Sequence, residues 1–132
     1  MTKEARKATN PIQSQLLLEM GVPADTADAY YGSGSNRLLF IPKYMKGSLF
    51  GCRVAWTLDA LIDYLCVGDN IYVEFQKDFK LNFWICYYRR YEERRGLKFG
   101  VSKGGPTKID AIFEVIYELH RNKYDTGTAN GQ

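Results

Sequence analysis

Residues 71–101 read IYVEFQKDFKLNFWICYYRRYEERRGLKFGV, and the fold class turns on them. The first six alternate, with Ile71, Val73 and Phe75 on one side and Tyr72, Glu74 and Gln76 on the other, the two-residue period of a half-buried strand. A turn at 77–79 followed by a long apolar strand at 80–91 predicts a hairpin, and 97–101 alternates again as a partner strand. The long strand is apolar on both sides: Leu81, Phe83, Ile85 and Tyr87 point one way, Trp84, Cys86 and Tyr88 the other. If the first set joins Ile71, Val73 and Phe75 over the helices, then Trp84, Tyr88 and Tyr72 share the opposite face. The competing reading has helices on both faces, which makes the strand central and doubly buried.

Outward from this hairpin the chain punctuates itself. Asn10-Pro11 is an N-cap followed by proline at the first helical position, and Ile12, Leu16 and Met20 then recur at helical spacing up to Gly21. Residues 23–31 predict a second short helix with Ala27 and Tyr30 or Tyr31 turned inward, and 37–41 a short strand stopped by Pro42. A Gly-rich connection at 43–53 leads to Trp56-Thr57, where Thr57 caps a helix with Leu58, Leu61, Ile62 and Leu65 on its buried stripe. After Gly104-Gly105-Pro106, Thr107 caps a last helix, Asp110 stands three residues on, and Ile109, Ile112, Phe113, Ile116 and His120 follow at helical spacing. The expected fold is α+β, in the order α-α-β-α-β-β-β-α, with a mainly antiparallel sheet of about four strands and helices packed on it. Positions 11–124 read as a single domain, 1–10 as a flexible N-terminal segment and 125–132 as a disordered tail.

The 132 residues include 10 Tyr, and 14% of the chain is aromatic, a composition that favours half-buried contact faces. No run approaches the ~20 consecutive apolar residues of a membrane span, and 1–10 has no apolar core of a secretory signal, so a cytoplasmic protein with no membrane partner is expected. The net charge is +3. Residues 1–86 carry nine basic and nine acidic side chains and 87–132 nine and six, so the whole excess lies in the last third.

Several triplets imitate chemistry and lack the residue that makes it work. Gly32-Ser33-Gly34 opens like a dinucleotide loop, but the sixth position is Arg37 and no strand precedes it. Gly100 and Gly105 have the spacing of a phosphate loop, yet Pro106 stands where its lysine belongs. Asp125-Thr126-Gly127 spells an aspartic-protease triplet in a polar tail rather than on an apolar loop. Asp59 and Asp63, one helical turn apart, read as a solvated face, since no further carboxylate completes a cation shell. His120, the one histidine, ends an apolar stripe, and a zinc site would need it to meet Cys52, Cys66 and Cys86 in space. No catalytic residue, cofactor or metal is expected, and the three cysteines read as reduced thiols.

Two surfaces are left as binding candidates. The first is the aromatic sheet face of Tyr72, Trp84 and Tyr88, suited to a protein partner or a homodimer. The second is the basic hairpin at 87–108, where Arg89, Arg90, Arg94, Arg95, Lys98, Lys103 and Lys108 outnumber Glu92 and Glu93, with Tyr88, Tyr91 and Phe99 interleaved, a composition suited to nucleic acid. A solvated hairpin in which the glutamates pair with the arginines has the same composition.

In Gly21-Val22-Pro23-Ala24-Asp25-Thr26-Ala27-Asp28, Ala55-Trp56-Thr57-Leu58-Asp59-Ala60-Leu61 and Asp110-Ala111-Ile112-Phe113-Glu114 the chain resembles small uncharacterised proteins encoded on phages, prophages and mobile elements of anaerobic gut bacteria. The similarity spans roughly 16–124 and rests on packing motifs, so it implies a setting and carries over no functional residue. The function expected from the sequence is a small non-enzymatic interaction module that binds a protein or itself; the alternative is a nucleic-acid-binding protein.

Overall fold

The computed structural model describes residues 7–32, 37–40, 53–92 and 96–130, with side chains through Arg121. Residues 33–36, most of the connection at 43–53, Cys52, Glu93, Arg94 and Arg95 lie outside the described residues. The chain divides into two compact units, Met1–Tyr64 and Leu65–Gln132. The fold is α+β, as expected, but the strands among the described residues form two three-stranded antiparallel sheets instead of one of about four strands.

In the first unit, helix α1 (Pro11–Glu19) begins with a full capping box: the Gln13 amide donates to Asn10 Oδ1 at 2.7 Å and the Asn10 amide to Gln13 Oε1 at 3.1 Å. The helix ends on Gly21, whose φ of +98° favours a residue without a Cβ. Its inward side is Ser14 and Leu17 rather than the predicted Ile12, which is 73% exposed. The cause is polar: Thr9 and Ser14 share a buried hydroxyl hydrogen bond of 2.7 Å, which turns Ser14 into the interior.

The helix predicted at 23–31 is instead a single 3₁₀ turn, Ala24–Thr26, followed by strand β1 (Ala29–Tyr31). Long-range partners decide this. Trp56 Nε1 donates to Thr26 Oγ1 at 2.9 Å, the Thr57 amide and hydroxyl both donate to the Asp28 carboxylate, and Tyr31 Oη donates to the Thr9 carbonyl at 2.7 Å. A helix could not present Thr26, Asp28 and Tyr31 to these groups together. Strand β1 is the centre of the sheet, flanked by β2 (Leu38–Phe40) and β3 (Arg53–Ala55). Strand β3 occupies the end of the predicted connection, and its pairing of Ala55 with Ala29 lets backbones approach closely around Ala8. Positions 8–10, expected to belong to a flexible segment, are built in: Ala8 bridges to Thr57, and Thr9 exchanges backbone and hydroxyl hydrogen bonds with Trp56. Helix α2 (Leu58–Leu65) starts where the sequence places it, with the Ala60 amide donating to Thr57 Oγ1.

In the second unit, β4 (Ile71–Asp78), β5 (Phe83–Glu92) and β6 (Gly96–Gly105) form a sheet with β5 central. Helix α3 (Lys108–Asn130) packs on β5 and β6, so it runs beyond position 124 into the stretch read as a tail. Thr107 caps it as predicted, accepting from the Asp110 amide at 3.1 Å and donating to the Asp110 carboxylate at 2.9 Å. Ile109, Ile112, Phe113 and Ile116 are buried, as are Ala111 and Val115, so the apolar surface of α3 is broader than one stripe. Among the described residues no helix is long and apolar enough to cross a membrane.

Candidate functional site

Register assigns every side chain of the second sheet to a face. Tyr88 is paired with Val73, Cys86 with Phe75 and Trp84 with Lys77, so Trp84, Cys86 and Tyr88 share a face with Ile71, Val73 and Phe75. This is the face that α3 covers: Lys103, paired with Cys86, reaches Glu118 at 3.5 Å, and Gly105, paired with Trp84, abuts Asp110 and Ala111. Tyr88 and Cys86 are buried there, and Trp84 is half-buried with the ammonium groups of Lys108 and Lys77 at 4.7 and 5.2 Å from its ring centroid.

The predicted platform of Tyr72, Trp84 and Tyr88 is therefore split. Tyr72, 56% exposed, lies on the opposite face with Phe83, Ile85 and Tyr87, the set expected to be core. The reason is the turn. A three-residue turn at 77–79 would close 76 against 80, whereas the observed one spans 79–82 and closes Asp78 against Phe83. One residue more in the turn flips every later side chain to the other face. Asp78 Oδ1 holds this turn by accepting from the amides of Lys80 and Leu81, both at 3.0 Å, and Asn82 adopts a φ of 55° to close it.

The face away from α3 has a clear plan. Phe83, Ile85 and Tyr87 form a half-buried row down the central strand. On the β6 side Ile85 is paired with Gly104 and Tyr87 with Ser102, which are too small to cover them. The Phe83 ring lies on Gly104 closely enough that a Cβ there would stand 2.2 Å from Phe83 Cε2. On the β4 side the row meets polar groups: Tyr87 Oη donates to Gln76 Oε1 at 3.1 Å, and Arg89 Nη1 pairs with Glu74 at 3.0 Å while its guanidinium sits over the Tyr87 ring. Tyr72 and Tyr91 complete that side in an edge-to-face contact of 5.4 Å. Polarity could have revealed this face, since Tyr72, Glu74 and Gln76 already mark the outer side of β4.

The basic hairpin is less open than its composition suggests. Arg89 pairs with Glu74, Arg90 donates to Tyr88 Oη at 3.0 Å, Lys98 pairs with Glu92 at 3.6 Å and Lys103 with Glu118. Arg94 and Arg95 lie outside the described residues. Asp59 and Asp63 are exposed, and among the described residues no group of three or more His, Cys, Asp or Glu side chains could hold a metal ion. Burial pushes the Cys86 thiol up to about 12, with Cys66 adding to the shift. Compared with known proteins, the chain matches no family model, no curated protein and no solved structure.

Proposed function

We propose that the chain is a non-enzymatic interaction module that binds a second copy of itself through the face of the second sheet away from α3. The observation that carries this is the row Phe83, Ile85 and Tyr87, left half-exposed where Gly104 and Ser102 stand opposite Ile85 and Tyr87. An isologous contact requires a self-complementary face, and this one sets no unbalanced charge beside its apolar row, because Arg89 and Glu74 pair with each other within each copy.

The footprint is small. Three strands about 4.8 Å apart and about eight residues long at ~3.4 Å per residue span only about 14 by 27 Å. That is the size of a weak, transient interface, with a dissociation constant between about 1 μM and about 1 mM. Sedimentation equilibrium of the full chain across that range is expected to show a monomer–dimer equilibrium, which Ile85→Lys abolishes while the circular dichroism spectrum stays unchanged. A monomer at every concentration, or a dimer indifferent to Ile85→Lys, refutes the reading. Nucleic-acid binding by the hairpin has weaker support, since Arg89, Arg90, Lys98 and Lys103 all have partners within the chain.

A further inference from the structure

The turn between β4 and β5 carries two of the most exposed apolar side chains among the described residues, Phe79 at 85% and Leu81 at 65%. Neither sits on a frayed loop, because Asp78 Oδ1 clamps the turn through the Lys80 and Leu81 amides. Lys80 lies between them, and at the same end of the sheet Lys77 and Lys108 flank the half-buried Trp84. Among the described residues none of these three lysines takes part in an ion pair, in contrast to Lys98 and Lys103. Two carboxylates close to these lysines in sequence are engaged locally, Asp78 with the turn amides and Asp110 with Thr107.

We infer that this hairpin tip is a docking site for an anionic lipid bilayer surface, with Phe79 and Leu81 entering the headgroup region and Lys77, Lys80 and Lys108 facing the lipid phosphates and carboxylates. Three features select a bilayer over a protein. Its two apolar side chains are 85% and 65% exposed, and a soft apolar layer accepts such protruding side chains without a matching pocket. Its cations are all lysines, which are depleted at protein interfaces and act as point charges toward an anionic surface. Trp84 stands behind them, with the apolar body and polar edge that suit a membrane–water boundary. The contact is peripheral, and it uses residues distinct from the Phe83, Ile85 and Tyr87 row.

The test is co-sedimentation of the full chain with unilamellar vesicles, phosphatidylserine and phosphatidylcholine in equal parts against phosphatidylcholine alone. Trp84 emission gives a second readout, because the other tryptophan, Trp56, is fully buried. Partitioning onto the serine-containing vesicles alone is expected, with a blue shift in emission and loss of binding at high salt. Lys80→Gln should weaken it about fivefold and Phe79→Ser about tenfold or more. Ile85→Lys should leave the effects of both tip substitutions in place, which separates this contact from self-association. Equal partitioning onto both vesicle types, no partitioning at low salt, or a Phe79→Ser variant that binds like the parent chain overturns the inference; the second of these outcomes would return the tip to an acidic protein surface.

Discussion

Cys86 shows what one buried side chain predicts. It sits at the centre of β5, under α3 and fully buried, and that burial keeps its thiol protonated up to about 12. Since the thiolate is the reactive form, Cys86 should resist alkylation in the folded protein while the half-buried Cys66 reacts, a difference that mass-mapped labelling would resolve. Labelling of both at equal rates would place Cys86 elsewhere. The same group couples stability to pH. Once unfolded, Cys86 ionises around its usual 9.0, whereas folded it holds its proton to about 12. Its contribution is therefore fully present below pH 9 and declines between pH 9 and 12, by about 1.4 kcal/mol per pH unit. Urea midpoints measured across that window should fall more steeply for the parent chain than for Cys86→Ala.

Among the elements, two adjacent glycines of β6 make opposite predictions because they belong to opposite faces. A Cβ on Gly105 would lie 2.7 Å from Asp110 Cβ and 2.9 Å from the Ala111 nitrogen, in the first turn of α3, where backbone must move to make room. Gly105→Ala should cost about 1–3 kcal/mol in urea denaturation. At Gly104 the obstacle is only the Phe83 ring, which can rotate away, so Gly104→Ala should leave stability nearly unchanged and weaken self-association. Equal costs at the two positions would contradict the face assignment. The β4–β5 hairpin also shows how much the sequence could say. The alternation of 71–76, the helix caps at Asn10, Thr57 and Thr107 and the existence of three successive strands are all local signals, and all are present in the fold. The parity of the turn is local too, but it depends on Asp78 and Asn82 acting together, and a turn one residue shorter exchanges the covered face for the open one. Strand β1 was illegible for another reason: its conformation is fixed by Thr9, Trp56 and Thr57, distant in sequence, and they override a helix-compatible composition.

For the whole molecule the excess of positive charge is real but largely compensated where it was expected to act. Four of the seven cations of the basic hairpin have partners within the chain, and a phosphate backbone would have to displace them. Fluorescence anisotropy with a labelled single-stranded oligonucleotide should therefore show little binding at physiological salt. A steep salt dependence relieved by charge reversal at Arg94 and Arg95 would restore the hairpin as the site. The N-terminal residues carry a different consequence, one of boundaries. Thr9 donates its amide to the Trp56 carbonyl, accepts the Trp56 amide on its hydroxyl and shares that hydroxyl with Ser14. A shortened chain beginning at Pro11 would strip partners from the amide and carbonyl of Trp56 and from the hydroxyl of Ser14, at about 1–3 kcal/mol for each one left unsatisfied. The first unit thus begins ahead of its first helix, and any fusion junction or truncation that respects it must fall before Ala8.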